Sequence, residues 1–182
     1  MNYIFLDIDG VLNYNDFVFE YIDDTAKIVD LNNVQLLAYI VEKTKAKIIL
    51  SSSWRYGFDD SLQPTFPNGG CQILLDILKE HGMKLHDRTE TKGDSDNGYR
   101  PGQIEQYINR HLKDTDNFII LDDETWGDSD PNGMDIFGRH FIRTDWDKRG
   151  LSSEDATRAV LLLTSPDYNV AEWRKFKEKL LS

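Results

Sequence analysis

Apolar residues along this chain fall into two alternating forms, short solid runs and longer stretches with helical spacing. Tyr3-Ile4-Phe5-Leu6 is the first solid run, too short for a helix and rich in strand-favouring types. From Asp30 or Asn32 as N-cap, Val34, Leu37, Ala38 and Val41 follow helical spacing to about Thr44. Ala46 to Leu50 forms a second solid run, and Cys71 to Glu80 reads as a helix with Gly82 past its end. Met83 to Leu85 suggests a short strand. Arg100 to His111 is predicted to be a helix, with Pro101 in its first turn and Ile104, Tyr107 and Ile108 facing inward. Asn117 to Leu121 and His140 to Arg143 complete the strands, the second of them after a long loop. Leu151 to Leu163 is an amphipathic helix with Ser152 and Asp155 as a capping pair, and Tyr168 to Leu181 a closing helix. Tyr14, Phe17, Phe19 and Tyr21 alternate loosely with polar residues, which suggests two short strands or a flap over about 12–24 that packs on the core or stacks on a substrate.

Strands separated by helices predict a three-layer, Rossmann-like α/β fold, a parallel sheet with helices on both faces and a small flap. With no repeat and no dividing linker, residues 1–182 are read as one domain. In open sheets of this kind the site lies outside the carboxyl ends of the strands. Three strands end there in chemistry-bearing residues: Asp7 and Asp9, then Ser51-Ser52-Ser53, then Asp122-Asp123.

In extended chain, alternate side chains share a face, so Asp7 and Asp9 can converge while Ile8 turns into the core, and Gly10 permits the turn off the sheet. Two carboxylates that close repel unless a cation or shared proton lies between them, and oxygen-only ligands favour magnesium. At the strand end Asp7 is placed as a nucleophile, and Asp9 as a group that passes a proton to the departing oxygen.

Composition narrows the partners. The net charge of −11 over 182 residues excludes an extensive basic surface for nonspecific nucleic-acid binding, while leaving room for a local basic pocket. A lone cysteine, Cys71, leaves no internal disulfide; with no membrane-length apolar stretch and no signal-peptide pattern, the expectation is a soluble cytoplasmic protein. Two acidic loops invite a calcium reading, but the loop from Asp128 has Arg139 at its twelfth position and the loop from Asp94 has Tyr99 at its sixth, where an EF-hand needs Glu and Gly. His81, His86, His111 and His140 have no metal-ligand spacing.

The set Asp7-Ile8-Asp9-Gly10-Val11, Ser51 after Ile48-Ile49-Leu50, a basic residue before a helix, and Asp122-Asp123 with Asp128 resembles the haloacid dehalogenase (HAD) superfamily. More narrowly, Asp-Gly-Val-Leu-Asn, Ser-Ser-Trp-Arg, Leu-Asp-Asp and Gly-Leu-Ser are similar to the phosphatase domain of RNA-repair proteins and polynucleotide phosphatases. The resemblance implies a Mg2+-dependent phosphatase that forms an aspartyl-phosphate on Asp7, with Asp9 as acid and base. It implies magnesium on Asp7, the backbone carbonyl of Asp9 and chiefly Asp123, with Asp122 and Asp128 as further ligands or orienters. Ser51 would donate to the phosphoryl oxygens, with Ser52 competing for that place, and Arg100 would offset their charge, with Lys92, Arg55 and Arg88 competing. Trp54 is read as a packing residue ahead of a base-stacking platform.

Too few residues separate Leu12 from Ser51, or Met83 from Tyr99, for a large cap domain, so an open site is expected. The implied partner is a phosphorylated small molecule or a nucleic-acid end, with no membrane, and the oligomeric state is not legible. The competing readings are a small-metabolite phosphatase and a catalytically silent binding module of the same fold. Dehalogenase chemistry is disfavoured because it leaves Asp9 without a proton to move.

Overall fold

The computed structural model describes residues 1–20, 27–90, 100–124 and 133–182. Five strands, β1 (Asn2–Leu6), β2 (Lys47–Leu50), β3 (Leu85–Arg88), β4 (Asn117–Asp122) and β5 (Phe141–Arg143), form one parallel sheet in the order β3-β2-β1-β4-β5. The helices are α1 (Asn15–Glu20), α2 (Leu31–Thr44), α3 (Gly70–Glu80), α4 (Arg100–His111), α5 (Ser153–Thr164) and α6 (Val170–Leu181).

The period-two alternation of each strand feeds two separate cores. Ile4, Leu6, Ile48, Leu50, Ile119 and Leu121 pack with α2, α3 and α5 on one face. Tyr3, Phe5, Ile49, Phe118 and Ile120 pack with α4, α6 and a 3-10 segment over Met134–His140 on the other. These are the three layers expected, with the central strands β1 and β4 almost wholly buried. Local signals agree at the helix ends: Asp30 accepts from the Asn32 N–H ahead of α2, and Ser152 and Asp155 form a complete capping box ahead of α5.

The structure corrects three local expectations. In the stretch over 12–24 read as two short strands or a flap, residues 15–20 form the short helix α1, and 21–24 lie outside the described residues. The third strand begins at Leu85, where the apolar stretch Met83 to Leu85 ends, and runs to Arg88; it is a polar edge strand recruited by β2, with a register shift at Ile48/Ile49. The stretch before β5 contains the 3-10 segment, which brings His140 into the core, stacked on Phe118 with ring centroids 4.1 Å apart. Burial lowers the His140 pKa to about 4, so it serves as a neutral packing residue. No helix among the described residues is long and apolar enough to cross a membrane.

Candidate active site

Sheet register brings the carboxylates together. Leu6 pairs with Leu50 on one side and Leu121 on the other, so the next residues, Ser51, Asp7 and Asp122, stand side by side across three strand ends. The ladder continues through this row: Ser51 N donates to Leu6 O at 2.8 Å, and Asp7 N to Leu121 O at 3.0 Å. Beyond it the chain turns at Gly10, whose φ is +75°. A Cβ there would lie 2.2 Å from Cγ of Asp123, so the glycine supplies both the left-handed turn and the space Asp123 occupies. The Thr144 hydroxyl, just after β5, donates to Gly10 O at 2.6 Å and holds this turn against the sheet.

Arg100 opens α4 on the same face. Its NH1 donates to Oδ2 of both Asp7 and Asp122 in a buried three-way ion pair. Its immediate partners are therefore carboxylates, whereas the sequence suggested phosphoryl oxygens; a phosphoryl group would have to share the guanidinium with them. Two rival cations point elsewhere: Arg55 NH1 donates to Ser52 O, and Arg88 NH1 donates to Arg55 O. The third, Lys92, lies outside the described residues, as does Asp128.

Asp7, Asp122 and Asp123 each offer an oxygen within 4.8 Å of the others. Three carboxylates facing one guanidinium leave an excess of negative charge, which favours the protonated acids. Burial, more than any other cause, raises the Asp7 pKa against the opposing pull of Arg100. Burial and the Asp7 charge push Asp122 to about 8 and Asp123 to about 6. Burial also works against the charged Arg100, but Asp122 and Asp7 outweigh it and raise its pKa. An all-oxygen, over-acidic trio fits a divalent cation, which would offset the excess negative charge. The Asp9 carboxylate is not one of the three.

A cavity of about 350 Å³ opens over this cluster, lined by Asp7, Asp9, Ser53, Arg100, Asp123, Glu124 and Trp146. It adjoins one of about 610 Å³ that shares Asp123, Glu124 and Trp146 with it. A larger cavity, about 950 Å³, lies between α2, α3 and the start of β3 at the opposite ends of the strands, and among its carboxylates is only Glu42. Its size does not make it the site, because no reactive cluster faces it.

Some side chains stand differently from their sequence reading. Ser51 is buried with its Oγ unpartnered, and Ser52 is buried, caps the 3-10 turn Ser53–Gly57 and lies by Asp7, where its hydroxyl favours the charged carboxylate. Ser53 is the serine that lines the cavity. Trp54 packs, but its indole Nε1 also donates to Oδ2 of Asp9 at 3.0 Å. Asn13 Nδ2 donates to Oδ1 of Asp9 at 2.9 Å. The sequence did not assign roles to Asn13, Ser53, Glu124 and Trp146; Asn13 stands in the Asp-Gly-Val-Leu-Asn string, Ser53 and Glu124 stand in the polar and acidic runs at two strand ends, and Trp146 left no signal.

The family model for the HAD domain in Swiss Army Knife RNA repair proteins matches residues 3–156, well over half of the chain and every residue placed in this site. Searches of curated proteins and of solved structures find no match.

Proposed function

Because the chain belongs to the family of HAD domains found in Swiss Army Knife RNA repair proteins, we propose that it is a magnesium-dependent phosphomonoester hydrolase acting on nucleotide or polynucleotide-end phosphates. The family implies a phosphatase-type hydrolase, and the acidic trio gives it a place for a metal. The observation that carries the finer reading is the meeting of Asp7, Asp122, Asp123 and Arg100, from three separate elements, beneath a cavity that Asp9 also lines. The repair context favours the end of a polynucleotide as the substrate.

Asp7 attacks phosphorus, the bond to the ester oxygen breaks, and the phosphoryl group is carried as an aspartyl-phosphate. Asp9 gives its proton to the departing oxygen, then takes one from the water that attacks the aspartyl-phosphate, which releases phosphate and restores Asp7. Arg100 and the Ser51 hydroxyl, a buried donor beside Asp7 in register, offset and orient the phosphoryl oxygens. Asp7, Asp122 and Asp123 would hold the magnesium, which when bound adds positive charge against the nucleophile and the phosphoryl oxygens.

The test is magnesium-dependent phosphate release from an aryl phosphate, with Asp7→Asn as control, followed by 3′-phosphorylated oligonucleotides against mononucleotides. Activity that vanishes in Asp7→Asn and is higher on the oligonucleotide is expected. Equal rates in wild type and Asp7→Asn would end the enzyme reading, and preference for a mononucleotide would move the substrate away from polymer ends.

A further inference from the structure

The geometry assigns Trp54 a positioning role: its indole N–H, together with the Asn13 amide, holds the Asp9 carboxyl in place for its two proton transfers. This rests on the phosphatase reading above and adds to it a residue 45 positions away in the chain.

Asp9 lies beyond the end of β1 in the turn made by Gly10, so no strand neighbour fixes its side chain. Each of its oxygens instead accepts one N–H, Oδ1 from Asn13 and Oδ2 from Trp54. The Asn13 amide is itself oriented, because its Oδ1 accepts from Gly10 N at 3.2 Å and its Nδ2 also reaches Ile28 O at 3.2 Å. An indole has a single donor and no acceptor, so Trp54 can serve Asp9 only as a fixed N–H.

Trp54 is braced to do so. Ser52 caps the 3-10 turn that carries it, and the far edge of the ring rests on Gly70 at the start of α3. A Cβ on Gly70 would lie 3.2 Å from Cζ3 and 3.4 Å from Cη2, so the absence of a side chain there lets the indole lie where it does. With one lone pair on each oxygen taken, a second lone pair on each remains for the catalytic proton, in a plane set by the two donors. A carboxyl free to rotate would meet the ester oxygen less often, and proton transfer is sensitive to such displacement.

Leaving-group chemistry isolates this role. A p-nitrophenolate departs without a proton, whereas an alkoxide needs one, and kcat/KM reports only the steps through formation of the aspartyl-phosphate. Trp54→Phe keeps a ring and removes the N–H. The expected result is a drop in kcat/KM of about tenfold or more on an alkyl phosphate and less than about threefold on p-nitrophenyl phosphate, the same pattern as Asp9→Asn in milder form. Equal losses on both esters, or no loss on either, would overturn the assignment.

A second measurement needs no turnover. The Trp54 indole resonance in a proton–nitrogen correlation spectrum, identified by its loss in Trp54→Phe, should move in Asp9→Asn more than those of Trp146 and Trp173. An unmoved Trp54 resonance would overturn the contact. If wild type hydrolyses neither ester, the phosphatase reading falls, and the resonance alone decides whether Trp54 holds Asp9.

Discussion

Replacing Arg100 with methionine removes the cation that joins Asp7 to Asp122 and leaves an apolar chain in its place. All three side chains are nine-tenths buried or more, so water cannot take over the lost interaction. Deleting one partner of a buried ion pair costs about 3–5 kcal/mol. Protonation limits that loss. Holding a proton on a carboxyl with an ordinary pKa of 3.8 costs about 4 kcal/mol at pH 7 and about 2 kcal/mol at pH 5. Arg100→Met is therefore expected to lose about 3–4 kcal/mol at pH 7, and no more than about 2 kcal/mol at pH 5, in urea unfolding with a chelator present. A loss below about 1 kcal/mol at pH 7, or equal losses at the two pH values, would refute the view that this guanidinium balances the buried carboxylates.

Other outcomes follow from the same geometry. Asp122 and Asp123 hold protons in the folded state up to about pH 8 and about pH 6, whereas the unfolded chain releases them near 3.8. Their contribution to stability is thus full below about pH 4 and is lost as pH rises towards 8, so the melting temperature in chelator should fall across that window while the rise caused by magnesium grows; a flat chelator profile would contradict this. Gly10→Ala places a Cβ against the Asp123 carboxyl at positive φ, and should destabilise by about 1–2 kcal/mol and weaken magnesium binding measured by calorimetry; unchanged affinity would contradict the account. Ser51→Ala removes a buried hydroxyl with no partner, so it should leave stability unchanged or raise it by about 1 kcal/mol while raising KM for phosphate esters; a clear loss of stability with KM unchanged would show the hydroxyl to be structural.

What could be read in advance follows from how far each signal acts along the chain. The Asp7/Asp9 pair, the capped helix at Ser152 and the helix opening at Arg100-Pro101 depend on neighbours in sequence, and they stand where expected. The edge strand Leu85–Arg88 has no apolar run of its own and exists because β2 offers it an unpaired edge, which no local pattern shows. The flap aromatics imitate strand alternation, yet residues 15–20 close a helical turn, and Asn15 N donates to Trp146 O across the sheet edge. Trp54 reads as packing because an indole is mostly apolar; its one donor reaches Asp9 Oδ2 at 3.0 Å through tertiary packing, which no local pattern shows. Arg100 opens α4, as the Arg100-Pro101 pair implies, but register sets Asp122 beside Asp7 and so decides that the guanidinium bridges carboxylates.

The central claim is that Asp7 becomes phosphorylated, and it can be read directly. Asp9→Asn retains the nucleophile but lacks the base for hydrolysis, so acid quenching during turnover of p-nitrophenyl phosphate with magnesium should trap a phosphoryl group on the peptide that contains Asp7, with none in Asp7→Asn or with chelator. Phosphate release that proceeds undiminished in Asp7→Asn, or a phosphoryl group found on another residue, would contradict the account.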